Sequence, residues 1–222
     1  MRVAVFGASG MVGKAVLLEC LDEARITSVL VVGRRSCGVT HPKIEEAIHR
    51  NFYDFSPLQS RFASLDACFF CLGTTSAGKT EEDYTRQTYD LTLAAARDIV
   101  AASPQSVFVY VSGVGTDSTE RGRVMWARVK GRTENALLAL PFRAAYMMRP
   151  GFIQPLRGVT SSTSLYRFFI AAFAPLFPLA RKLFPTHVVT SIEVGKAMIR
   201  LAARGDDRKI LEPADIRRLA AD

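Results

Sequence analysis

The chain has 222 residues, 49% of them hydrophobic and 23% charged, with a formal net charge of +8. This length supports one sizeable core in a single α/β domain, and the composition excludes a disordered, fibrous or disulfide-dense chain. The positive charge is scattered over Arg34-Arg35, Arg121 to Arg132, Arg181-Lys182 and Arg217-Arg218 without interleaved aromatic residues, so no nucleic-acid interface is expected.

The first predicted strand, Arg2 to Phe6, runs straight into Gly7-Ala8-Ser9-Gly10-Met11-Val12-Gly13, and a helix is predicted over Met11 to Leu21. Gly7 permits a tight turn out of the strand, Gly10 lets the backbone approach a pyrophosphate, and Gly13 lets the helix pack close to the sheet. Any βα turn accepts a glycine; a strand before and a helix after are the context that a dinucleotide-binding turn demands. Phosphates would then sit on free amides at the helix N-terminus, which makes Gly7, Ser9, Gly10, Met11, Val12 and Gly13 candidate cofactor-binding residues. The glycine loop arrives before a secretory signal could be completed. Cys20, Cys37, Cys68 and Cys71 are too few and too irregular for a disulfide framework, so a cytoplasmic protein with reduced thiols is expected.

The second strand, Ser28 to Val32, leads into Gly33-Arg34-Arg35. About twenty residues past the glycines, an NAD site places an acid to accept from the ribose 2′-hydroxyl, whereas an NADP site needs cations for the 2′-phosphate. No acid is present. Arg34 and Arg35 are therefore expected to fork onto a phosphate, with NADP(H) as the cofactor, the alternative being two solvated loop charges. A weaker strand near Ile44 to His49 follows. Asp54 reads as an adenine-edge contact or a helix cap, ahead of a helix over Pro57 to Ala63 with Ser56 as N-cap.

The fourth strand, Ala67 to Leu72, holds Cys68 and Cys71 at redox spacing, but the strand points their sulfurs to opposite faces and both are expected in the core. It ends in Leu72-Gly73-Thr74-Thr75, at the carboxyl edge where ligands gather in a doubly wound sheet, so Leu72, Gly73 and Thr74 are candidates for the cofactor's ribose and nicotinamide side. Lys79 reads as an exposed loop charge. A helix over Glu81 to Ala102 starts at a capping-box-like pair, Thr80 and Asp83. Strands over Ser106 to Ser112 and Ala144 to Met148 bracket a helix over Val124 to Leu140. This alternation implies right-handed crossovers and an α/β fold of Rossmann type: a doubly wound parallel sheet in a single domain, 1–222, with a small helical C-terminal substrate-side region.

Within that region, 152–188 reads as a variable apolar lid or interface segment. Its stretch Leu165 to Phe184 has the length of a membrane span, yet Arg167, Pro175, Pro178, Arg181 and Lys182 interrupt it. Two short helices over the substrate side of the cleft or at a subunit interface are expected, with a peripheral membrane contact as the alternative. His41, His49 and His187 show no metal spacing and no Ser/His/Asp set stands out, so no metal is expected.

Taken in order, Gly7 to Gly13, Gly33-Arg34-Arg35, Cys71 to Thr75, Val111-Ser112-Gly113, Val129-Lys130-Gly131 and Arg149-Pro150-Gly151 resemble an atypical short-chain dehydrogenase/reductase. The likeness is to the NAD(P)H-binding group that contains the Tat-interacting protein and bacterial oxidoreductase-like relatives. It runs to about Gly151; Val189 to Ala197 and Ile210 to Ile216 are similar to the family's last helix and terminal segment. The resemblance adds Lys130, Arg149 and Pro150 to the cofactor contacts and implies a Ser, a Tyr and a Lys around a substrate carbonyl. Ser112 and Lys130 fall on two of these positions and are the candidate catalytic residues. The Tyr position holds Trp126, whose indole N–H donates a hydrogen bond but has no accessible ionised form. Tyr110, Tyr89 and Tyr166 are substitute phenols or packing residues, and Lys130 with Glu134 also reads as an i, i+4 surface pair. Two functions stay open: an NADP(H)-dependent oxidoreductase or epimerase acting on a small carbonyl compound, and a non-catalytic NADPH-binding sensor or scaffold with a protein partner or as a homodimer.

Overall fold

The computed structural model describes residues 1–159 and 188–221. Its strands are β1 (Arg2–Phe6), β2 (Ser28–Gly33), β3 (Ile44–Ile48), β4 (Ala67–Phe70), β5 (Val107–Val111), β6 (Ala144–Met148), β7 (Phe152–Gln154), β8 (Val188–Thr190) and β9 (Ile210–Leu211). The helices are α1 (Met11–Asp22), α2 (Glu81–Thr85), α3 (Leu91–Ala102), α4 (Met125–Leu138), α5 (Ser191–Arg204) and α6 (Pro213–Ala221). Among the described residues the main sheet runs β3-β2-β1-β4-β5-β6-β9 with every neighbouring pair parallel. Parallel neighbours need crossovers, and those crossovers cover both faces of the sheet.

Alternation along each strand builds two cores. In β1, Val3 and Val5 face one side, where Leu17 of α1 and Met198 of α5 pack; Ala4 and Phe6 face the other, with Phe70, Leu93 of α3 and Leu137 of α4. Burial on both sides is why these strands read as continuous apolar runs rather than alternating ones. The strand order reverses between β1 and β4, which opens a crevice beyond their carboxyl ends.

The Rossmann-type doubly wound α/β sheet in a single domain is thus the observed fold, and the expected strands through β6 are present to within two residues. Local differences have local causes. Residues Ser56–Phe62 form a 3₁₀ helix, and Ser56 is its first residue rather than its cap, because Asp54 Oδ1 accepts from Ser56 N at 3.0 Å and from Ser56 Oγ at 2.6 Å. Asp54 therefore stabilises the turn leading into this helix, whose N-cap position is Phe55. The helix expected over Glu81 to Ala102 starts as predicted, with Thr80 Oγ1 accepting from Asp83 N at 3.1 Å, but a π turn over Arg86–Asp90 separates α2 from α3. Cys68 belongs to one core and Cys71 packs against the other, both as free thiols. The apolar stretch Leu165 to Phe184 and Tyr166 lie outside the described residues; β7 and β8, on either side, pair in parallel.

Candidate functional site

The turn from β1 into α1 explains its own glycines. Gly7 has φ +80°, and a Cβ there would lie 2.8 Å from the Cys71 carbonyl oxygen. A Cβ on Gly13 would lie 2.2 Å from the Gly7 carbonyl oxygen, so the first turn of α1 rests directly on the loop. Gly10 N donates to Gly7 O at 2.9 Å, but a Cβ on Gly10 would come no nearer than 3.3 Å to that oxygen. The fold therefore demands Gly7 and Gly13, whereas a side chain at Gly10 would meet one tight backbone contact that a shift of a few tenths of an ångström relieves. Helix α1 begins after Gly10 with no side-chain cap, which leaves the first-turn amides of Met11, Val12 and Gly13 for a ligand at the positive end of the helix.

Beside this turn lies a cleft of about 440 Å³ whose lining includes Gly7, Ser9, Gly33, Arg34, Arg35 and Phe52. A second cavity of about 580 Å³ shares Arg34, Phe52 and Leu72 with it and adds Arg50, Gly73 and Thr74. Arg34 and Arg35 are exposed and have no carboxylate partner among the described residues. A cap-free helix start, a close-approach glycine and two arginines without carboxylate partners at the end of β2 fit the phosphates of a dinucleotide. Lys79 departs from expectation. Its ammonium donates to Thr74 Oγ1 at 2.5 Å and to Gln87 Oε1 at 2.7 Å, two residues that line this cavity, and so engages the Thr74 hydroxyl.

Ser112 and Lys130 come together, though not as a free hydroxyl and a surface cation. Ser112 is buried; its hydroxyl donates to Glu134 Oε1, with the Met148 carbonyl 3.1 Å away. Lys130 Nζ donates to the Ser112 carbonyl at 3.1 Å and lies 5.6 Å from the centre of the Tyr110 ring. Burial lowers its pKa to about 8, against a smaller opposing pull from Glu134. Trp126 packs on the loop after Ser112, because a Cβ on Gly115 would lie 3.3 Å from the indole edge. Tyr110 is enclosed in the core, where burial pushes its phenol pKa up, and Tyr89 lies under the Arg132 guanidinium at 4.6 Å. Neither phenol is a ready replacement for the tyrosine position.

The guanidinium of Arg149, expected at the cofactor, is engaged by internal partners. Its Nη2 lies 2.5 Å from Glu134 Oε2 and 2.6 Å from Ser118 Oγ, Nε lies 3.1 Å from Glu134 Oε1, and Nη1 reaches Glu212 at 3.4 Å. Glu134 is 0% exposed, and burying a carboxyl group so deep is costly unless its oxygens are hydrogen-bonded, as they are here by Arg149 and Ser112. Pro150 is buried and accepts from Val114 N at 3.1 Å through its carbonyl. The residues missed by sequence reading are Arg50, Phe52 and Glu134. Only Glu134 carried a signal, its i, i+4 spacing from Lys130.

Fold and cleft together define a nucleotide-binding Rossmann domain. No protein-family model matches the chain. Protein FMP52 of Eremothecium gossypii, named as mitochondrial, is 31% identical over 157 residues, which are 69% of this chain and 66% of its own length. HTATIP2 of Rattus norvegicus is 28% identical over 154 residues, 68% of this chain and 62% of its own. These matches span a little under two thirds of each relative. FMP52 and HTATIP2, proteins of the NAD(P)-binding atypical short-chain dehydrogenase/reductase group, are homologues of this chain over about two thirds of its length. Among solved structures, the Bordetella bronchiseptica enzyme WbmF in complex with NAD+ superposes with a TM-score of 0.68 at 17% identity, covering 99% of this chain and 76% of that one. A short-chain dehydrogenase family protein from Francisella tularensis gives 0.65 at 15%, covering 92% and 91%. The cytoplasmic expectation is overturned by the FMP52 relatives, which are named as mitochondrial. Reduced thiols mark a reducing compartment and do not distinguish one such compartment from another.

Proposed function

We propose that this chain is an NADP(H)-binding protein whose cleft holds the cofactor far better than its neighbouring residues assist proton transfer. The observation that carries this reading is the pair Arg34 and Arg35, lining the cleft beside the glycine turn without an acid partner. The first-turn amides of α1 would take the pyrophosphate, the two arginines the 2′-phosphate, and Phe52 and Leu72 the apolar face of the adenine. A bound nicotinamide supplies or accepts a hydride. Among the described residues little serves proton transfer: Trp126 cannot ionise, and the Ser112 hydroxyl is turned to Glu134. A sensor or scaffold use follows, in which occupancy alters a contact with a protein partner or a second copy. The NAD+ bound to WbmF supports the choice of a nicotinamide dinucleotide.

A second reading, reduction or epimerisation of a small carbonyl compound, is favoured by Lys130, an ammonium with a lowered pKa at the carboxyl edge of β5. One set of measurements tests both. Calorimetry should show NADPH binding more tightly than NADH, by roughly 1.5–3 kcal/mol for a charge-assisted phosphate contact, with the preference lost in the Arg34→Ala/Arg35→Ala variant. Equal affinities in the parent overturn the NADP(H) assignment. NADPH oxidation with quinones and aldehydes should be very weak in the parent and rise in Trp126→Tyr; robust parent turnover would replace the sensor reading by the reductase one.

A further inference from the structure

The parallel register of β2 and β3 brings a third arginine to the phosphate end of the cleft. Gly33 pairs with Ile48, and His49 N donates to Gly33 O at 2.9 Å, so Arg34 and Arg50 leave neighbouring strand ends at the same edge of the sheet. Both line the second cavity, which adjoins the glycine-turn cleft through Phe52 and Leu72. The backbone presenting Arg50 is pinned on both sides. The His49 ring nitrogen lies 2.7 Å from the Asp54 carbonyl, and Asn51 Oδ1 accepts from Tyr53 N at 3.1 Å. Arg50 is exposed and, like Arg34 and Arg35, has no carboxylate partner among the described residues. Arg34 lines both cavities, with Arg35 beside it in the first and Arg50 in the second, where Asp83 is the one carboxylate of the lining; an anion seated at Arg34 relieves the repulsion among these guanidinium groups.

We infer that Arg50 is a third arm of the clamp on the cofactor's 2′-phosphate and helps set the choice of NADPH over NADH. This rests on the dinucleotide reading above. A forked guanidinium recognises a phosphate dianion and gains nothing from a ribose hydroxyl, so its contribution is confined to ligands carrying the 2′-phosphate.

The test is calorimetry on the parent, Arg50→Ala and Arg50→Lys with four ligands: NADPH, NADH, adenosine 2′,5′-bisphosphate and AMP. In Arg50→Ala, NADPH and the bisphosphate should bind about tenfold more weakly, while NADH and AMP change by less than about twofold. Arg50→Lys should recover part of the loss, because it keeps the charge and loses the fork. Because Arg50 is exposed, the unfolding temperature of the ligand-free protein should be unchanged. Equal weakening of NADPH and NADH would mean that Arg50 acts on the adenine or the diphosphate, and unchanged NADPH binding would mean that it is a solvated charge; either result overturns the inference. A parent with no preference for NADPH removes the underlying reading as well, whereas a parent preference that survives in Arg50→Ala removes only the role of Arg50.

Discussion

A lysine ammonium in surroundings of low polarity binds its proton less tightly, and Lys130 is such a group. Its neighbours are the Tyr110 ring, the Ser112 carbonyl and, a turn along α4, Glu134. In the folded chain its pKa falls from the ordinary 10.5 to about 8. Below pH 8 both folded and unfolded chains hold the proton, and the burial penalty is present in full. Between pH 8 and 10.5 the unfolded chain binds more protons, so this residue's contribution to stability rises with pH across that window. Urea unfolding at pH 7, 8.5 and 10 should therefore show the stability of the parent relative to Lys130→Met rising by up to about 3 kcal/mol. Taking the difference cancels the titration of the buried cysteines and tyrosines common to both. A difference that stays flat with pH would mean that the ammonium is well solvated.

The β1–α1 unit shows how one element divides its glycines between folding and binding. Gly13 belongs to the fold, since the Gly7 carbonyl lies where its Cβ would go. Gly10 stands at the N-cap with φ −90° and ψ 168°, a conformation any residue adopts, so its lack of a side chain leaves room in front of the helix amides. Two variants should separate these roles in thermal unfolding with and without NADPH. Gly13→Ala should lose about 2 kcal/mol or more through overpacking. Gly10→Ser should keep the stability of the ligand-free parent to within about 0.5 kcal/mol, since Ser is a favourable N-cap, while losing most of the NADPH-induced stabilisation. Full cofactor stabilisation in Gly10→Ser would place the pyrophosphate elsewhere. Helix α5 shows the opposite arrangement: Thr190 and Glu193 close a capping box, so the third amide of that helix, the counterpart of Gly13 N in α1, is taken by a side chain.

The Glu134–Arg149 pair reaches across the fold. It joins α4 to the end of β6, holds the Ser112 hydroxyl at the end of β5, grips Ser118 in the following loop and touches Glu212 just past β9. Removing one partner of such a pair strands the other charge in the interior. Glu134→Gln should therefore lower stability by about 3–5 kcal/mol, and Glu134→Leu combined with Arg149→Met should recover much of that loss. Chemical denaturation of the three proteins checks this; a loss below about 1 kcal/mol in Glu134→Gln would mean that the pair is hydrated.

Signals confined to a few consecutive residues are legible in the amino-acid sequence alone. The glycine turn, the apolar strand runs through β6, and the Thr80–Asp83 start of α2 depend on local backbone geometry and on burial of both sheet faces, both of which leave marks in neighbouring letters. The doubly wound order follows from their alternation. Contacts made across strands or between layers leave no such mark. Arg50 lies 16 residues from Arg34 in sequence but beside it in space, because parallel pairing sets Ile48 against Gly33. Arg149 carries a family signature in the sequence, yet its direction is settled by a carboxylate 15 residues away that α4 carries into the interior. Lys79 reads as a loop charge until the π turn carries Gln87 to it. Backbone periodicity is encoded residue by residue, whereas the partner of a charged side chain is chosen by packing, and packing exists only once the crossovers have closed.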